Sequence, residues 1–339
     1  MNNQPKFIIV VGASAGGVNA ITELITHIKP GLDAAIFIVQ HLSRTVFPDF
    51  LLYRLKSVTE LNCLIAVDGE PIQKDHIYLA PSNRHLVVKK GKIVLGFGPE
   101  ENRWRPSIDV LFRTAATSYN SHVIGIILTG LLNDGTAGMS AIKRCGGITM
   151  VQDPNEAEHP DMPLSVLEAI VVDHTLPVAA MGKAIADIVQ HFEPVIVDIP
   201  PDLLQEAEIA ERVATGNEAV MDLGEESLFT CPDCNGRLWY LHDKDKIARY
   251  RCQIGHSYNE PDLIIRQAEQ LENTLWVALR IMEERKSLMQ KLTEDYQKKG
   301  LVSIASSYRQ RTNELRLHIN KLKQLLYDTE NNSDQSLSA

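Results

Sequence analysis

A serine in a glycine-rich turn is the first residue of this chain that could carry out chemistry. Ser14 lies in Gly12-Ala13-Ser14-Ala15-Gly16-Gly17, a G-x-S-x-G pattern between a strand-like run and a helical pattern. Small residues let such a turn present the serine hydroxyl above a sheet, while the following helix N-terminus offers N–H groups to an oxyanion. A serine in this position can attack an acyl carbon.

Two further side chains could activate this serine. His41 follows the apolar run 35–40, and Asp134 follows the apolar run 123–130. A serine hydroxyl needs an imidazole to take its proton and a carboxylate to orient that imidazole. The order Ser, His, Asp differs from the Ser, Asp, His order of α/β-hydrolases, which argues against that fold.

Other interpretations of these residues remain open on local grounds. The glycines could cradle a phosphate in a dinucleotide-binding fold, but that fold places an acidic residue where this chain has Gln40-His41. Ser14 could instead cap a helix, Asp134 could cap the next helix from an Asp-Gly turn, and His41 could be a polar strand end. The histidine favours hydrolysis.

Three cysteines and a histidine have metal-ligand spacing. Cys231, Cys234, Cys252 and His256 form C-x2-C-x17-C-x3-H, with strand-like runs between the two pairs. This pattern predicts a zinc ribbon whose closed set of four ligands makes the metal structural, so no cofactor is expected in catalysis. His242 is an alternative fourth ligand. A redox C-x-x-C is disfavoured, because it would not require the second pair.

The elements that must position these residues alternate between strands and helices. Continuous apolar runs such as 7–11, 35–40 and 123–128 are typical of parallel strands buried on both faces. They predict an α/β fold with a doubly wound, mostly parallel sheet, and the pattern 85–95 predicts a hairpin at a sheet edge. We expect this sheet to be followed by a small zinc-ribbon-like unit and an α-helical hairpin.

Patterning along the chain predicts five segments. Ten carboxylates against one arginine mark 193–228 as acidic, and apolar residues at helical spacing indicate two long helices turning near Gly300. The predicted segments are a catalytic domain 1–192, an acidic linker 193–228, a zinc-ribbon-like module 229–258, a helical hairpin 259–330 and a disordered tail 331–339. Light scattering on a chain lacking 260–339 would test whether the helices form a homodimer.

Composition excludes several classes of protein. The chain has 339 residues, of which 44% are hydrophobic, and a net charge of −9 that resides almost entirely in 193–228. The apolar content is well above that of a disordered chain, and the near-neutral remainder does not support binding to nucleic acid. No apolar run reaches 18 residues, so we expect a cytoplasmic protein without direct membrane insertion.

Several blocks in order along the chain resemble one family. They include VVGASAGG at the start, VQHL, R-P-S-I-D-V-L-F at 105–112, LTGLLNDGTAGM, GGITMVQD and Asp161-Met162-Pro163. Over residues 7–181 the sequence resembles the catalytic domains of chemoreceptor glutamate methylesterases of the CheB type. The resemblance implies that Ser14 is the nucleophile, His41 the base and Asp134 the residue that orients it.

The resemblance also implies a substrate and partners. It implies hydrolysis of glutamate methyl esters on chemoreceptor-like proteins to glutamate and methanol through an acyl-enzyme, with glutamine deamidation as a related reaction. An inactive esterase fold used as a signalling scaffold is the alternative. In the family a phosphorylatable receiver domain usually precedes the esterase; we expect this chain to lack one, so a separate response regulator becomes a candidate partner.

One substitution departs from the family pattern near the site. The family commonly has Met-Gly where this chain has Leu131-Leu132. A main-chain donor survives a change of side chain, but the loss of a glycine could alter the loop.

Overall fold

A parallel sheet forms the centre of the larger part of the molecule. The computed structural model describes residues 3–41, 48–193, 195, 197–211, 224–241 and 247–336, which fall into two compact units, residues 1–263 and 264–339. Seven strands in the order β3-β4-β2-β1-β7-β8-β9, all paired in parallel, make up the sheet. They are β1 (Phe7–Ala13), β2 (Ala34–Gln40), β3 (Asn62–Ile65), β4 (His76–Leu79), β7 (Val123–Ile127), β8 (Ile148–Gln152) and β9 (His174–Leu176).

Helices cover both faces of this sheet. Every residue of β1 is buried, as expected for a continuous apolar run between two helical layers. One core lies against α1, α2 and α6, and the other against α3, α4 and α5. The doubly wound α/β prediction is therefore confirmed. The helices are α1 (Gly17–Thr26), α2 (Pro48–Val58), α3 (Ile108–Tyr119), α4 (Thr136–Arg144), α5 (Asp161–Ala169) and α6 (Val178–His191).

The predicted hairpin is present, but it is not at an edge of the large sheet. Strands β5 (His85–Lys89) and β6 (Lys92–Gly96) pair with each other in a separate two-stranded sheet. The hairpin packs on α3, where the Val88 N–H donates to Thr114 Oγ1 at 3.2 Å and Ser118 Oγ donates to Val88 O at 2.9 Å. The N–H and C=O of Val88, on the edge of the hairpin, are thus satisfied by a helix.

The segment predicted to be an acidic linker contains ordered elements. Helix α7 (Pro201–Glu211) buries Leu203 and Ile209, and strand β10 (Gly224–Thr230) begins before the segment ends. The prediction called the segment a linker because of its charge and allowed a short helix at best, whereas Glu206 is 2% exposed and faces arginines. Charge density along the chain does not show which charges find partners in the folded protein.

A four-stranded antiparallel sheet follows, in the order β10-β11-β12-β13. Besides β10, its strands are β11 (Arg237–Leu241), β12 (Arg249–Cys252) and β13 (Ser257–Asn259). This sheet, with the turns at its cysteines, is called the ribbon below. Its apolar core is small and contains Leu238, Tyr250 and Tyr258 beside the cysteines.

Buried charges connect the ribbon to α3 and α7. Arg251 contacts both oxygens of Glu101 at 3.0 Å, and Arg113 donates to the same carboxylate at 2.8 and 3.0 Å. Arg249 donates to both oxygens of Glu206 at 2.8 and 2.9 Å. These five residues are called the arginine–glutamate cluster. Paired guanidinium and carboxylate groups of this kind tolerate burial, whereas a single unpaired charge would not.

The cluster predicts a specific loss of stability in acid. Burial alone would raise the pKa of Glu101, but the charges of Arg113 and Arg251 outweigh it and lower that pKa to about 2. Stabilisation by a carboxylate with a depressed pKa is present above its unfolded value of 4.5 and is lost as the pH falls towards 2. Urea unfolding should therefore show Glu101→Gln to be about 3 kcal/mol less stable than wild type at pH 7, with the difference vanishing near pH 2. A difference independent of pH would contradict this role for Glu101.

Two long helices account for the second unit. The helices Glu260–Lys298 and Val302–Ser336 are joined at Gly300, whose φ of +73° suits glycine. Leu279, Ile319 and Leu326 are buried between them, which confirms the helical hairpin. The second helix extends to Ser336, six residues into the predicted disordered tail, because no glycine or proline interrupts the chain there. Residues 337–339 lie outside the described residues.

Candidate active site and metal-ligand cluster

The turn after β1 places Ser14 at the start of α1. Gly16 has a φ of +74° and precedes Gly17, the first residue of the helix. The left-handed conformation at Gly16 suits glycine and reverses the chain within a few residues. The Ser14 N–H donates to Thr129 O at 3.0 Å, which attaches the turn to the segment following β7.

Gly130 allows that neighbouring segment to approach the serine closely. A Cβ at position 130 would lie 2.8 Å from Ser14 Cβ and 2.1 Å from Met162 Sδ, and both distances are too short for real contacts. A side chain at 130 would therefore displace the serine or the methionine. This close packing explains why the residue after Thr129 is glycine.

His41 and Asp134 lie in contact at the same edge of the sheet. His41 Nε2 is 3.0 Å from Asp134 Oδ2, and both side chains are almost completely buried. Ser14 follows β1, His41 follows β2 and Asp134 follows β7, and these three strands are neighbours in the sheet. The carboxyl edge of a parallel sheet thus gathers the three residues proposed from the sequence.

Gln40 ties the serine turn to the histidine. Its Nε2 donates to Ser14 O at 2.7 Å and to His41 O at 2.8 Å. In the sequence, Gln40 was noted only because a dinucleotide-binding fold would have a ribose-binding acidic residue there. Its position at the end of β2, directly before His41, was the available signal for this bridging role.

Asp134 is held by donors from the start of α3. It accepts hydrogen bonds from the Ile108 N–H at 2.7 Å, Asn102 Nδ2 at 2.9 Å and Ser107 Oγ at 3.0 Å. Burial alone would raise the pKa of Asp134, but contact with His41 and these donors outweigh it and lower the pKa. Asp134 is therefore a carboxylate at neutral pH, and it can stabilise a positively charged imidazole.

A second buried carboxyl group, that of Asp109, has its pKa shifted in the opposite direction. Asp109 accepts a hydrogen bond from the Gly138 N–H at 2.6 Å and shares Asn102 Nδ2 with Asp134, at 2.7 Å from its Oδ2. Burial, followed by the charge of Asp134, raises the pKa of Asp109 to about 7. Because the two environments push the pKa values apart, the negative charge stays on the carboxylate that contacts His41.

The loop before α3 supplies residues that sequence reasoning missed. Trp104 stacks on His41 with ring centroids 4.0 Å apart and an interplanar angle of 9°. Asn102, in the same loop, donates to Asp134. Both lie just before the R-P-S-I-D-V-L-F block that was noted for its resemblance, and this proximity was the only signal for them.

The Leu131-Leu132 loop has a backbone conformation that suits glycine. Leu132 has a φ of +64°, in the left-handed region that is unfavourable for residues with a Cβ by roughly 1–2 kcal/mol. Leucine at this position therefore carries local strain.

This strain predicts unequal effects of two glycine substitutions. Leu132→Gly should leave the free energy of unfolding unchanged or raise it by up to about 1 kcal/mol, because relief of strain offsets the added chain entropy. Leu131→Gly, the matched control at a residue without a positive φ, should lower it by about 0.5–1 kcal/mol. Urea titrations of the two variants measure both values, and a larger loss for Leu132→Gly would contradict the strain.

The predicted metal ligands lie together at one end of the ribbon. The ligand atoms of Cys231, Cys234, Cys252 and His256 all lie within 4.8 Å of one another. Cys234 Sγ is 3.6 Å from Cys252 Sγ, and His256 Nδ1 is 3.4 Å from Cys252 Sγ. A tetrahedral zinc ion with Zn–S of about 2.3 Å and Zn–N of about 2.0 Å separates its ligands by similar distances. The group could hold a metal. His242, the alternative ligand, lies outside the described residues.

Two of these thiols each receive a backbone donor. The Cys234 N–H is hydrogen-bonded to Cys231 Sγ, and the Gly236 N–H to Cys234 Sγ. The three cysteines are not joined in disulfides. Thiols that receive N–H groups from a tight turn are suited to binding as thiolates, which is the form that ligates a metal.

Comparison with known proteins agrees with the fold of the part that carries the sheet. The family model described as CheB methylesterase matches residues 9–185, just over half of the chain. The catalytic domain of the Thermotoga maritima CheB methylesterase, known from a crystal structure, is 32% identical with a TM-score of 0.50, and the match covers 54% of this chain and 98% of that domain. None of the helices within the described residues is long and apolar enough to cross a membrane.

Relatives identified by sequence are named for two activities, protein-glutamate methylesterase and protein-glutamine glutaminase. A Hydrogenovibrio crunogenus protein-glutamate methylesterase/protein-glutamine glutaminase is 35% identical over 54% of this chain and 49% of its own length. A Leptospira interrogans protein, provisionally named for the same activities, is 38% identical over 52% of this chain and 91% of its own length. This chain thus spans most of one relative and about half of the other. The chain belongs to the CheB methylesterase family.

Proposed function

We propose that this protein hydrolyses methyl esters of glutamate side chains on chemoreceptor-like proteins, and that it deamidates glutamines there by the same route. The observation that carries the proposal is the contact between His41 and the buried carboxylate of Asp134, beside the turn that presents Ser14. Within a family named for methylesterase activity, these groups supply a nucleophile, a base and an orienting charge.

Each proposed step follows from one of these groups. Because His41 Nε2 contacts Asp134, Nδ1 is the ring nitrogen left to take the proton from Ser14 Oγ. The deprotonated Oγ attacks the ester carbonyl carbon, and the oxyanion forms beside the N-terminus of α1. The tetrahedral intermediate collapses, methanol leaves with the proton from His41, and the glutamyl group remains on Ser14 as an ester.

Water completes the cycle by the same chemistry. His41 takes a proton from a water molecule, the hydroxide attacks the acyl carbon, and Ser14 leaves with that proton as glutamate is released. With a glutamine side chain the leaving group is ammonia instead of methanol, and the later steps are identical. Asp134 remains ionised throughout and stabilises the imidazolium.

The alternative function is a catalytically inactive signalling scaffold. A scaffold has no need for a lowered carboxylate pKa, a buried imidazole or a serine held against a glycine. Maintaining a buried carboxylate with donors arranged around it is unfavourable for stability, and such groups cluster at reactive sites. The site therefore favours the enzyme.

Partners, location and the metal remain proposals of the same kind. We propose that the Cys/His group binds structural Zn²⁺, because three thiols and one imidazole leave no open position for substrate. A separate response regulator, a homodimer through the helical hairpin and a cytoplasmic location stay predictions. Exposed apolar side chains on the first long helix, such as Leu271, Ile281 and Leu288, support the dimer.

Release of methanol tests the proposed function. The full chain is incubated with chemoreceptors whose glutamate methyl groups carry a radioactive label, and volatile labelled methanol is counted. We expect release by the wild type and none above background by Ser14→Ala. No release by the wild type from any methylated receptor supplied, with the protein folded, would favour the scaffold.

A further inference from the structure

The loop Glu101–Trp104 is in contact with both members of the His41–Asp134 pair. Trp104 covers the face of the His41 ring, and the Asn102 side chain donates to Asp134 Oδ1 at 2.9 Å. Asn102 and Arg103 have φ values of +50° and +67°, in the left-handed region. Two successive residues with a Cβ stay in that region only where their surroundings hold them.

Main-chain hydrogen bonds attach this loop to the ribbon. The Asn102 N–H donates to Ser257 O at 2.8 Å, and the Ser257 N–H donates to Glu100 O at 3.4 Å. Glu101 and Ser257 form a parallel β-bridge, so the loop extends the ribbon sheet beyond β13. The ribbon therefore fixes the backbone of the residues that contact the pair.

Arg251 adds a side-chain attachment. It is fully buried and contacts both oxygens of Glu101 at 3.0 Å, while its Nη1 also donates to Gly255 O at 3.1 Å. Arg251 directly precedes Cys252, and Ser257 directly follows His256. Both attachments to the loop are thus next to candidate metal ligands.

A third contact reaches the other side of Asp134. Asn259 Nδ2 donates at 2.6 Å to Oδ1 of Asn133, the residue preceding Asp134. Asn259 is the last residue of β13 and is 5% exposed. The ribbon consequently contacts both segments that determine where the Asp134 carboxylate lies.

We propose that the ribbon positions the His41–Asp134 pair for catalysis, with Asn102 and Trp104 as positioning residues and Arg251 as the residue that holds their loop. This inference rests on the proposed function for its catalytic consequence. A ribbon that loses its metal or its Arg251 contact releases the loop, the indole leaves the imidazole, and Asp134 loses a donor. Activity is thereby coupled to the integrity of the ribbon.

The first test observes Trp104 directly and needs no activity. The full chain is labelled with ¹⁵N in its three tryptophans, and the indole signals are assigned with Trp→Phe variants. We expect the Trp104 signal to shift or broaden in Arg251→Met and after removal of metal by a chelator, and to be partly restored in Arg251→Lys. The matched control is Arg237→Met, because Arg237 is an exposed ribbon arginine paired with Glu226. A Trp104 signal that is unchanged in Arg251→Met would overturn the proposal, whether or not the ribbon remains folded.

The second test measures turnover of a small soluble ester, p-nitrophenyl acetate, which requires no docking of a receptor. We expect kcat to fall about 10- to 100-fold in Arg251→Met and in Asn102→Ala with little change in KM, because a misplaced pair slows chemistry more than binding. Arg237→Met should match the wild type. Equal kcat values for Arg251→Met and the wild type would overturn the proposal.

A double-mutant cycle separates positioning from general weakening of the structure. If Arg251 acts through the loop, Arg251→Met should lower kcat much less in a Trp104→Phe background than in the wild type, whereas independent effects would multiply. If the effects of Arg251→Met and Trp104→Phe on kcat multiply in the double variant, the proposal is overturned. If the wild type releases no methanol from methylated receptor, the proposed function fails, and the tryptophan signals still decide whether the ribbon holds the loop.

Discussion

Replacing Ser14 with alanine should lower the rate of methanol release by roughly 10⁴- to 10⁶-fold while leaving the fold intact. Alanine removes the only atom that can form the acyl-enzyme, and the remaining groups cannot replace a nucleophile. The Ser14 backbone contacts, from its N–H to Thr129 and from Gln40 to its carbonyl, do not involve the hydroxyl. Initial rates on methyl-labelled receptor, together with a thermal unfolding curve, measure both expectations.

The matched control is Ser118→Ala. Ser118 is a partly buried serine whose Oγ donates to Val88 O on the hairpin, away from the His41–Asp134 pair. It should retain the wild-type rate and lose about 1 kcal/mol of stability at most. Equal rates for Ser14→Ala and the wild type would exclude Ser14 as the nucleophile and point to a water molecule activated by His41.

The three residues of the proposed triad were accessible from the sequence because of where strands end. Ser14, His41 and Asp134 each follow a continuous apolar run, and parallel strands expose their carboxyl ends at one edge. The sequence did not reveal that the strands they follow, β1, β2 and β7, are neighbours. That proximity follows from the crossover connections, and the structure brings His41 and Asp134 into contact.

The residues that hold the pair were not accessible in this way. Glu101 and Arg251 are 150 positions apart, and neither has a local pattern that indicates a partner. Glu206 lies in the segment predicted to be an acidic linker, yet it is buried against arginines. Ion pairs between distant segments depend on tertiary packing, which composition and periodicity do not encode.

Backbone conformation was the other feature that the sequence did not indicate. Asn102, Arg103 and Leu132 all adopt positive φ values, and only asparagine among them has a tendency to do so. At Leu132 the departure from the family's glycine marked the position, and the structure shows a left-handed backbone there. At Asn102 the tendency of asparagine was the available sequence signal, and at Arg103 there was none. The main-chain contact of Asn102 comes from the ribbon, which is distant in the sequence.

Loss of the metal should have the largest structural effect in the molecule. We expect the wild type to contain one zinc ion per chain and Cys252→Ser to contain almost none. Zinc contributes about 10–16 kcal/mol in peptides with comparable ligands, whereas Leu238, Tyr250 and Tyr258 form only a small core here. Amides of β11 and β12 should therefore lose protection from hydrogen exchange in the variant. Amides of β1 and β7, at the centre of the large sheet, should keep theirs.

Cys145→Ser provides the control, since Cys145 is a buried cysteine outside the ligand group. It should keep its zinc and its ribbon protection, although the buried hydroxyl lowers stability modestly. A wild-type protein that contains no metal, and whose mass shows a disulfide between two of the three ribbon cysteines, would instead support the redox interpretation. Four ligand atoms arranged around one point favour the metal, because a disulfide uses two sulfurs and leaves the third thiol and the imidazole of His256 without a role.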